Sequence, residues 1–445
     1  MRTPINQRGT RWANAVLLLL CGTLGACDLN SLLDVKQPGR VPEAALNDPA
    51  LAATLAAGVV SDLECAWNNY TVATAMISDQ FIQASGNLNQ RNWGSRRITA
   101  DDASYAQASC TGPYGIYTTL HTARYQAEDV FTRLSGWTDA QVANRVTLQA
   151  TVRIYGGFAL VGLGEGFCEM AIDNGPLMTP AAVLRIAETR FTEGLALATQ
   201  VNNADLRNMA LVGRARVRLD LSNFSGAIAD ASTVTAGYLK NAARDESDTR
   251  RYNAFCANIT CATFGRNATI APSYRAVTWQ GVPDPRVRVN TTNGLSADNA
   301  TVHYFPADKS TTRAAPIPIA SYKEARLIIA EASARSGDLA TARTIINALH
   351  TAAGIPGYDL GNTATQNEVI IQVIEERRRE LFLESGHRLN DHIRFRGTPF
   401  NVPFKGEAGS YHPTGVDHTG LPYGSTTCFA LPLVERNGNP NIPKS

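Results

Sequence analysis

The chain is 445 residues long, 44% hydrophobic by composition, and carries a formal net charge of +2. That apolar fraction builds a real core and excludes wholesale disorder, and the length suits one large domain or about two or three smaller ones. With a near-neutral balance and no basic run, nucleic acid is not an expected partner.

Met1 to Ala26 reads as a secretory signal: Arg2, Arg8 and Arg11, then the apolar run 15–20, then Leu24-Gly25-Ala26 before Cys27. The run is shorter than the roughly 20 apolar residues of a transmembrane helix. Leu-Gly-Ala-Cys is similar to a bacterial lipobox, which makes Cys27 the acylated first residue and residues 27–40 the lipid anchor and tether. The alternative is an ordinary cleaved signal whose Cys27 pairs later. No segment after the anchor reads as long and apolar enough for a second membrane span.

A helical region is expected over residues 41–237. Asp48-Pro49 suits an N-cap and first turn, with Leu51, Leu55, Val59 and Leu63 at four-residue steps. Ile116, Leu120, Ala123, Ala127 and Phe131 form a second stripe. Val142, Val146, Leu148, Val152, Tyr155, Phe158 and Val161 form a third, and Leu184, Ala187, Phe191, Leu195 and Ala198 a fourth. The glycines at 156, 157, 162, 164 and 166 read as a helix end entering a loop. Two helix-turn-helix segments, 215–227 and 330–342, share an Ala in the first helix, a tight turn, and an Asx cap (Asn223, Asp338) before an apolar residue. That is the pairing logic of tetratricopeptide (TPR) repeats without a tandem array.

Residues 238–318 are rich in Asn, Thr, Gly and Pro without a lasting helical period, and read as a loop-rich lobe inserted in the helical scaffold. Residues 319–445 return to helix, stopped once at Gly354-Ile355-Pro356, and end in a tail. The fold class is mainly all-α, a TPR-like helical-pair scaffold carrying that lobe. Cys65, Cys110, Cys168, Cys256, Cys261 and Cys428 remain after export, enough for three disulfides, with Cys256 and Cys261 the natural local pair. Their spacing does not suit zinc knuckles, and no metal or cofactor is expected.

The C-terminal helices carry a family resemblance. Tyr322 to Glu331, Gly337-Asp338 and Ile346-Asn347, then Glu375-Glu-Arg377 through Glu380, Glu384, Gly386, Arg388, Asp391 and Arg394, then Leu431-Pro432 to Asn439-Pro440-Asn441, resemble the SusD-like (RagB) family in this order. Leu33-Asp34-Val35 and Pro38 echo its post-lipidation start. The resemblance implies an outer-membrane, lipid-anchored protein at the cell surface. It implies a SusC-like TonB-dependent transporter as partner, an oligosaccharide or peptide ligand, and no enzymatic activity. It also implies ligand contacts from the loop after the first long helix and from the lobe. Asn87, Asn89, Asn92 and Trp93 occupy the first place, and Tyr274, Trp279, Asp284 and Arg286 the second. Flat aromatic rings pack on sugar C–H faces while amides and charges take the hydroxyls. The competing reading is that both tryptophans merely seal loops onto the scaffold.

Two other functions compete. A TPR-like surface scaffold for protein assembly would predict an unbroken helical array. A surface glycoside hydrolase would need a clefted acid pair. The acidic run Glu375-Glu376, Glu380, Glu384 has Arg377, Arg378, Arg379 and Arg388 at helical neighbour spacing, which suits ion pairs and lowers carboxylate pKa values. His387 and His392 lie at the wrong spacing for two ligands on one helix face.

Overall fold

In the computed structural model the helices begin where short polar side chains can cap them. The structure describes residues 43–112, 114–261, 265–358, 363–412 and 415–444; the signal and Cys27 lie outside them. Glu43–Asn47 form a 3₁₀ turn, and Pro49–Ser445 form one compact unit.

A 3₁₀ turn at Pro49–Leu51 leads into α1 (Ala52–Ile77), which is buried at every position from Leu63 onward. Strand β1 (Phe81–Gln83) and α2 (Leu88–Gly94) follow, then α3 (Tyr117–Gly136) and α4 (Arg145–Gly166). Thr179 caps α5 (Pro180–Gln200), with Pro180 in the first turn. Asn203 caps α6 (Ala204–Asp220), and Asn223 accepts from Gly226 N at the start of α7 (Phe224–Ala231). Both asparagines act through the short carbonyl arm that makes Asx residues good caps.

The glycines of α4 lie within the helix, which corrects the expected loop. A Cβ at Gly157 would stand 2.7 Å from the Phe191 ring, so the glycine lets α5 approach α4. Tertiary packing there outweighs the roughly 1 kcal/mol that glycine costs a helix. A second correction concerns hydropathy. Pro49–Ile77 and Arg145–Gly166 reach the length and mean hydropathy (1.3) of membrane-crossing helices. Their apolar side chains are spent on the protein core: Trp67 of α1 meets Phe158 of α4, which meets Phe191 of α5, with centroids 5.7 and 5.0 Å apart.

Strand β2 (Leu239–Ala242) pairs antiparallel with β8 (Ile317–Ser321), so the intervening chain leaves and re-enters the scaffold at one seam. Between them lie β3 (Ala268–Ile270), the small hairpin β4 (Thr278–Trp279) with β5 (Val282–Pro283), and the longer hairpin β6 (Val289–Leu295) with β7 (Val302–Pro306). Strand β3 pairs with β1. The lobe has its own apolar cluster, in which Phe81, Phe255, Ile270 and Tyr274 pack with Met76 of α1 and with Phe382.

Ser321 caps α8 (Tyr322–Arg335) and Asp338 caps α9 (Leu339–Ala353), which Gly354 ends in a left-handed conformation (φ +68). A capping box of Thr365 and Glu368 starts α10 (Gln366–Glu380); α11 (His387–Arg394) and the short α12 (Leu433–Gly438) complete the described helices. Disulfides join Cys65 to Cys110, Cys168 to Cys428 and Cys256 to Cys261.

Candidate functional site

Four of the expected binding residues are committed to the fold. Trp93 is fully buried, with its indole N–H donating to Asp102 Oδ2 at 2.8 Å and its ring among Tyr114 and Phe429. It sits on α2, two turns long and too short to reveal an apolar period, which is why it read as a loop residue. Tyr274 is also fully buried, stacked on Phe382 at 4.9 Å with its hydroxyl 3.2 Å from Asp79. Asp284 is 2% exposed and paired with Arg286 (2.7 Å) and Arg379 (3.0 Å). Burial would raise its carboxyl, but the two guanidiniums hold it at about 2. Arg286 also reaches Glu376 at 2.6 Å. Tyr274, Asp284 and Arg286 therefore fasten the lobe to α10 rather than offering a free surface.

The remaining four are more open. Asn87 and Asn89 are exposed, and Asn92 is half-buried. Asn87 Oδ1 accepts from the backbone of Asn89 and Gln90, capping α2. Trp279 is half-buried, edge-on to His350 at 4.9 Å, with the Arg379 guanidinium 5.7 Å from its ring.

Around α10 and α11 the charges form a buried lattice. Arg377 meets Asp391 (3.0 Å) and Glu331 (3.6 Å), while Arg394 meets Glu331 (2.6 Å), Asp391 (2.8 Å) and Asp220 (3.3 Å). Arg388 grips Asp79 at 2.5 Å, tying α11 to the end of α1. Burial would raise Glu331, but Arg394 and Arg377 bring it down to about 2. A general acid needs the opposite shift. Glu324 has it, pushed up to about 7 by burial against the pull of Arg216, but it is sealed at 2% exposure and faces no cleft. His392 packs flat on Phe404 at 4.4 Å. Among the described residues no cluster of His, Cys, Asp and Glu could hold a metal ion.

What faces solvent near α2 comes from three segments. Asp298 N, at the turn between β6 and β7, donates to Ala84 O. His418 reaches back to Asp298 at 3.4 Å, and Ser95 donates to Asp417 at 2.7 Å. These bonds join the residues on either side of α2, the tip of the lobe hairpin and the loop 415–423. These three segments expose Leu88 (58%), Leu295 (45%) and Leu421 (45%), and the amides of Asn87, Asn89, Asn293 and Asn299. The hairpin and loop residues escape a reading of the sequence because they follow no period; Asn293-Gly294 and Gly420 mark only turns. A second opening lies between the lobe and helices α8 and α9, a cavity of about 530 Å³ that the expected lobe segment reaches through Pro285 and Arg286.

The SusD family model matches residues 225–423. This stretch is similar to the SusD family. The fold of the whole agrees with that similarity. A SusD-like carbohydrate binding protein from Bacteroides vulgatus superposes with a TM-score of 0.66 at 16% identity, covering 89% of this chain and 98% of that one. A SusD-like protein from Bacteroides fragilis gives 0.66 at 11% identity, covering 91% and 98%. A laminarin binding SusD-like protein gives 0.63 at 14% identity, covering 88% and 98%. No curated protein matches the chain. The charge lattice of α10 and α11 lies inside the SusD-family segment, so the segment that carries the family's sequence signal is also the one that locks the lobe onto the helices.

Proposed function

We propose that the chain is a cell-surface lipoprotein that binds oligosaccharides and passes them to a SusC-like TonB-dependent transporter, with no hydrolytic activity of its own. The observation that carries this reading is the SusD-family match over residues 225–423 on a fold shared with SusD-like carbohydrate binding proteins along nearly their whole length. The ligand face in this reading is the surface joined from α2, the lobe hairpin and loop 415–423. Its amides can take hydroxyls and its exposed leucines can pack on sugar C–H groups. Trp279 stays a secondary candidate at the lobe's other hairpin. Cys27, outside the described residues, is the acylation site.

Calorimetry of the purified protein against laminarin and a panel of other oligosaccharides tests the reading. Binding should occur without release of reducing ends, and Asn89→Ala combined with Leu295→Ser should weaken it about tenfold with an unchanged melting temperature. Failure of every glycan to bind, or hydrolysis of one, overturns it. Cys27→Ala should abolish fatty-acid incorporation and release the protein from the outer membrane.

A further inference from the structure

The cavity between the lobe and the C-terminal helices is built differently from the amide face. One wall is a single side of α9, where Ile345, Ala348, Leu349, Ala352 and Ala353 recur at three- and four-residue steps. Such a stripe would ordinarily be covered by another helix; here it opens onto about 530 Å³, within the usual range of small-molecule sites, about 300–1,000 Å³.

The rim is charged and, with one exception, internally matched. Lys309 donates to Glu384 at 2.8 Å and to the Phe382 carbonyl at 3.0 Å. Lys323 pairs with Glu380, and Arg286 is held by Asp284 and Glu376. Asp308 is taken by Arg288 at 2.8 Å. Arg326, half-buried on α8 one turn beyond Tyr322, lines the same cavity and makes no hydrogen bond or ion pair with any described residue. In a region where Arg286, Arg377, Arg379, Arg388 and Arg394 all hold carboxylates, that leaves a guanidinium fork free beside an apolar wall.

We propose that this cavity is a second ligand site, separate from the glycan face, that takes a small carboxylate on an apolar body, with the carboxylate on Arg326 and the body along the α9 stripe. A planar guanidinium binds a carboxylate through two parallel hydrogen bonds. A single uncommitted cation suits one negative charge better than a phosphate dianion. The α9 wall is aliphatic and made of small residues, and Tyr322 is the one aromatic side chain of the lining. Two sources supply this chemistry: the C-terminus of a short peptide ending in an aliphatic residue, or a free short-chain fatty acid.

The test is calorimetry of the full chain with N-acetyl-Leu-Leu and with hexanoate, each beside its uncharged amide. At least one carboxylate should bind at least about tenfold more tightly than its amide, and the tighter of the two identifies the source. Arg326→Gln should erase the difference between acid and amide, whereas Arg326→Lys should keep part of it. Ala352→Phe, on an exposed position of the wall, should block both acids. Melting temperature and laminarin affinity should be unchanged in all three variants. Equal affinity of acid and amide, no binding of either acid, or undiminished binding in Arg326→Gln overturns the proposal. So does parallel loss of glycan and carboxylate binding, because the two sites would then not be separate.

Discussion

The helices before the lobe and the helices after it are held by different forces. In α1 and α3 to α6 most contacts are rings and aliphatic side chains, with glycines where helices come closest, and most ion pairs lie toward the surface, such as Arg145 with Asp139; the buried exception is Arg216 of α6 with Glu165 of α4 at 2.5 Å. In α8, α10 and α11 the interior contains charge: Glu331, Asp391, Arg377 and Arg394 are all nearly inaccessible. A buried ion pair gives little net stability over an apolar replacement, yet removing one partner leaves an uncompensated charge. The first region should therefore tolerate loss of its surface ion pairs and resist changes of volume, while the second should be most sensitive to loss of a charge.

The largest effect is expected at Arg394. Arg394→Ala strips Glu331, Asp391 and Asp220 of a shared partner and should cost about 3–5 kcal/mol of unfolding free energy, measured by urea denaturation. A cost below about 1 kcal/mol, the value for an exposed pair, would place the lattice on a par with the surface and dissolve the contrast. Next comes a packing change in the first region. Gly157→Ala puts a methyl 2.7 Å from the Phe191 ring and should cost about 1–3 kcal/mol.

Two glutamates on one face of α8 sharpen the comparison through pH. Glu331 is held at about 2, so the stability it contributes is full above the ordinary glutamate range and is lost as pH falls toward that value. Glu324 is pushed up to about 7, so its proton stays on in the fold while the unfolded chain releases it; stability falls as pH rises from the ordinary range through about 7. Glu331→Gln should then destabilise strongly at pH 8 and least at pH 2–3. Glu324→Gln should be near neutral at pH 4.5 and stabilising at pH 8. Parallel pH profiles for the two variants would show that they share one environment.

The same contrast decides what could be read in the sequence. Apolar periodicity marks α1, α3, α4 and α5, because their cores are made of the residues that create the period. The charges of α10 announce ion pairing through their spacing, but the partners Asp79, Asp220, Asp284 and Glu331 lie far away in sequence and no local pattern names them. The glycines of α4 misled because local propensity was opposed by a close helix approach. Trp93 misled because polar neighbours on a two-turn helix look like a loop while the ring points inward. Of the proposed ligand face, Asn87 and Asn89 were named from the sequence; Leu295 and Leu421 were not, since an exposed leucine leaves no mark distinguishing it from a core one.

The smallest expected effect lies at the surface pair of the first region. Arg145 Nε is 2.7 Å from Asp139, whose side chain is 73% exposed. Arg145 also opens α4, where a positive charge opposes the helix dipole. Coulomb gain across solvent is offset by the entropy of holding both chains, so Arg145→Ala should move stability by no more than about 0.5 kcal/mol in either direction. A double-mutant cycle with Asp139→Ala should give a coupling of the same size that vanishes in 1 M salt, where the screening length is about 3 Å. The matching cycle of Arg394 with Glu331 should give a coupling of about 2 kcal/mol or more. That coupling should persist in salt, because the pair is shielded from solvent ions. If the surface pair proved as strongly coupled and as salt-resistant as the buried one, depth of burial would not be what separates the two regions.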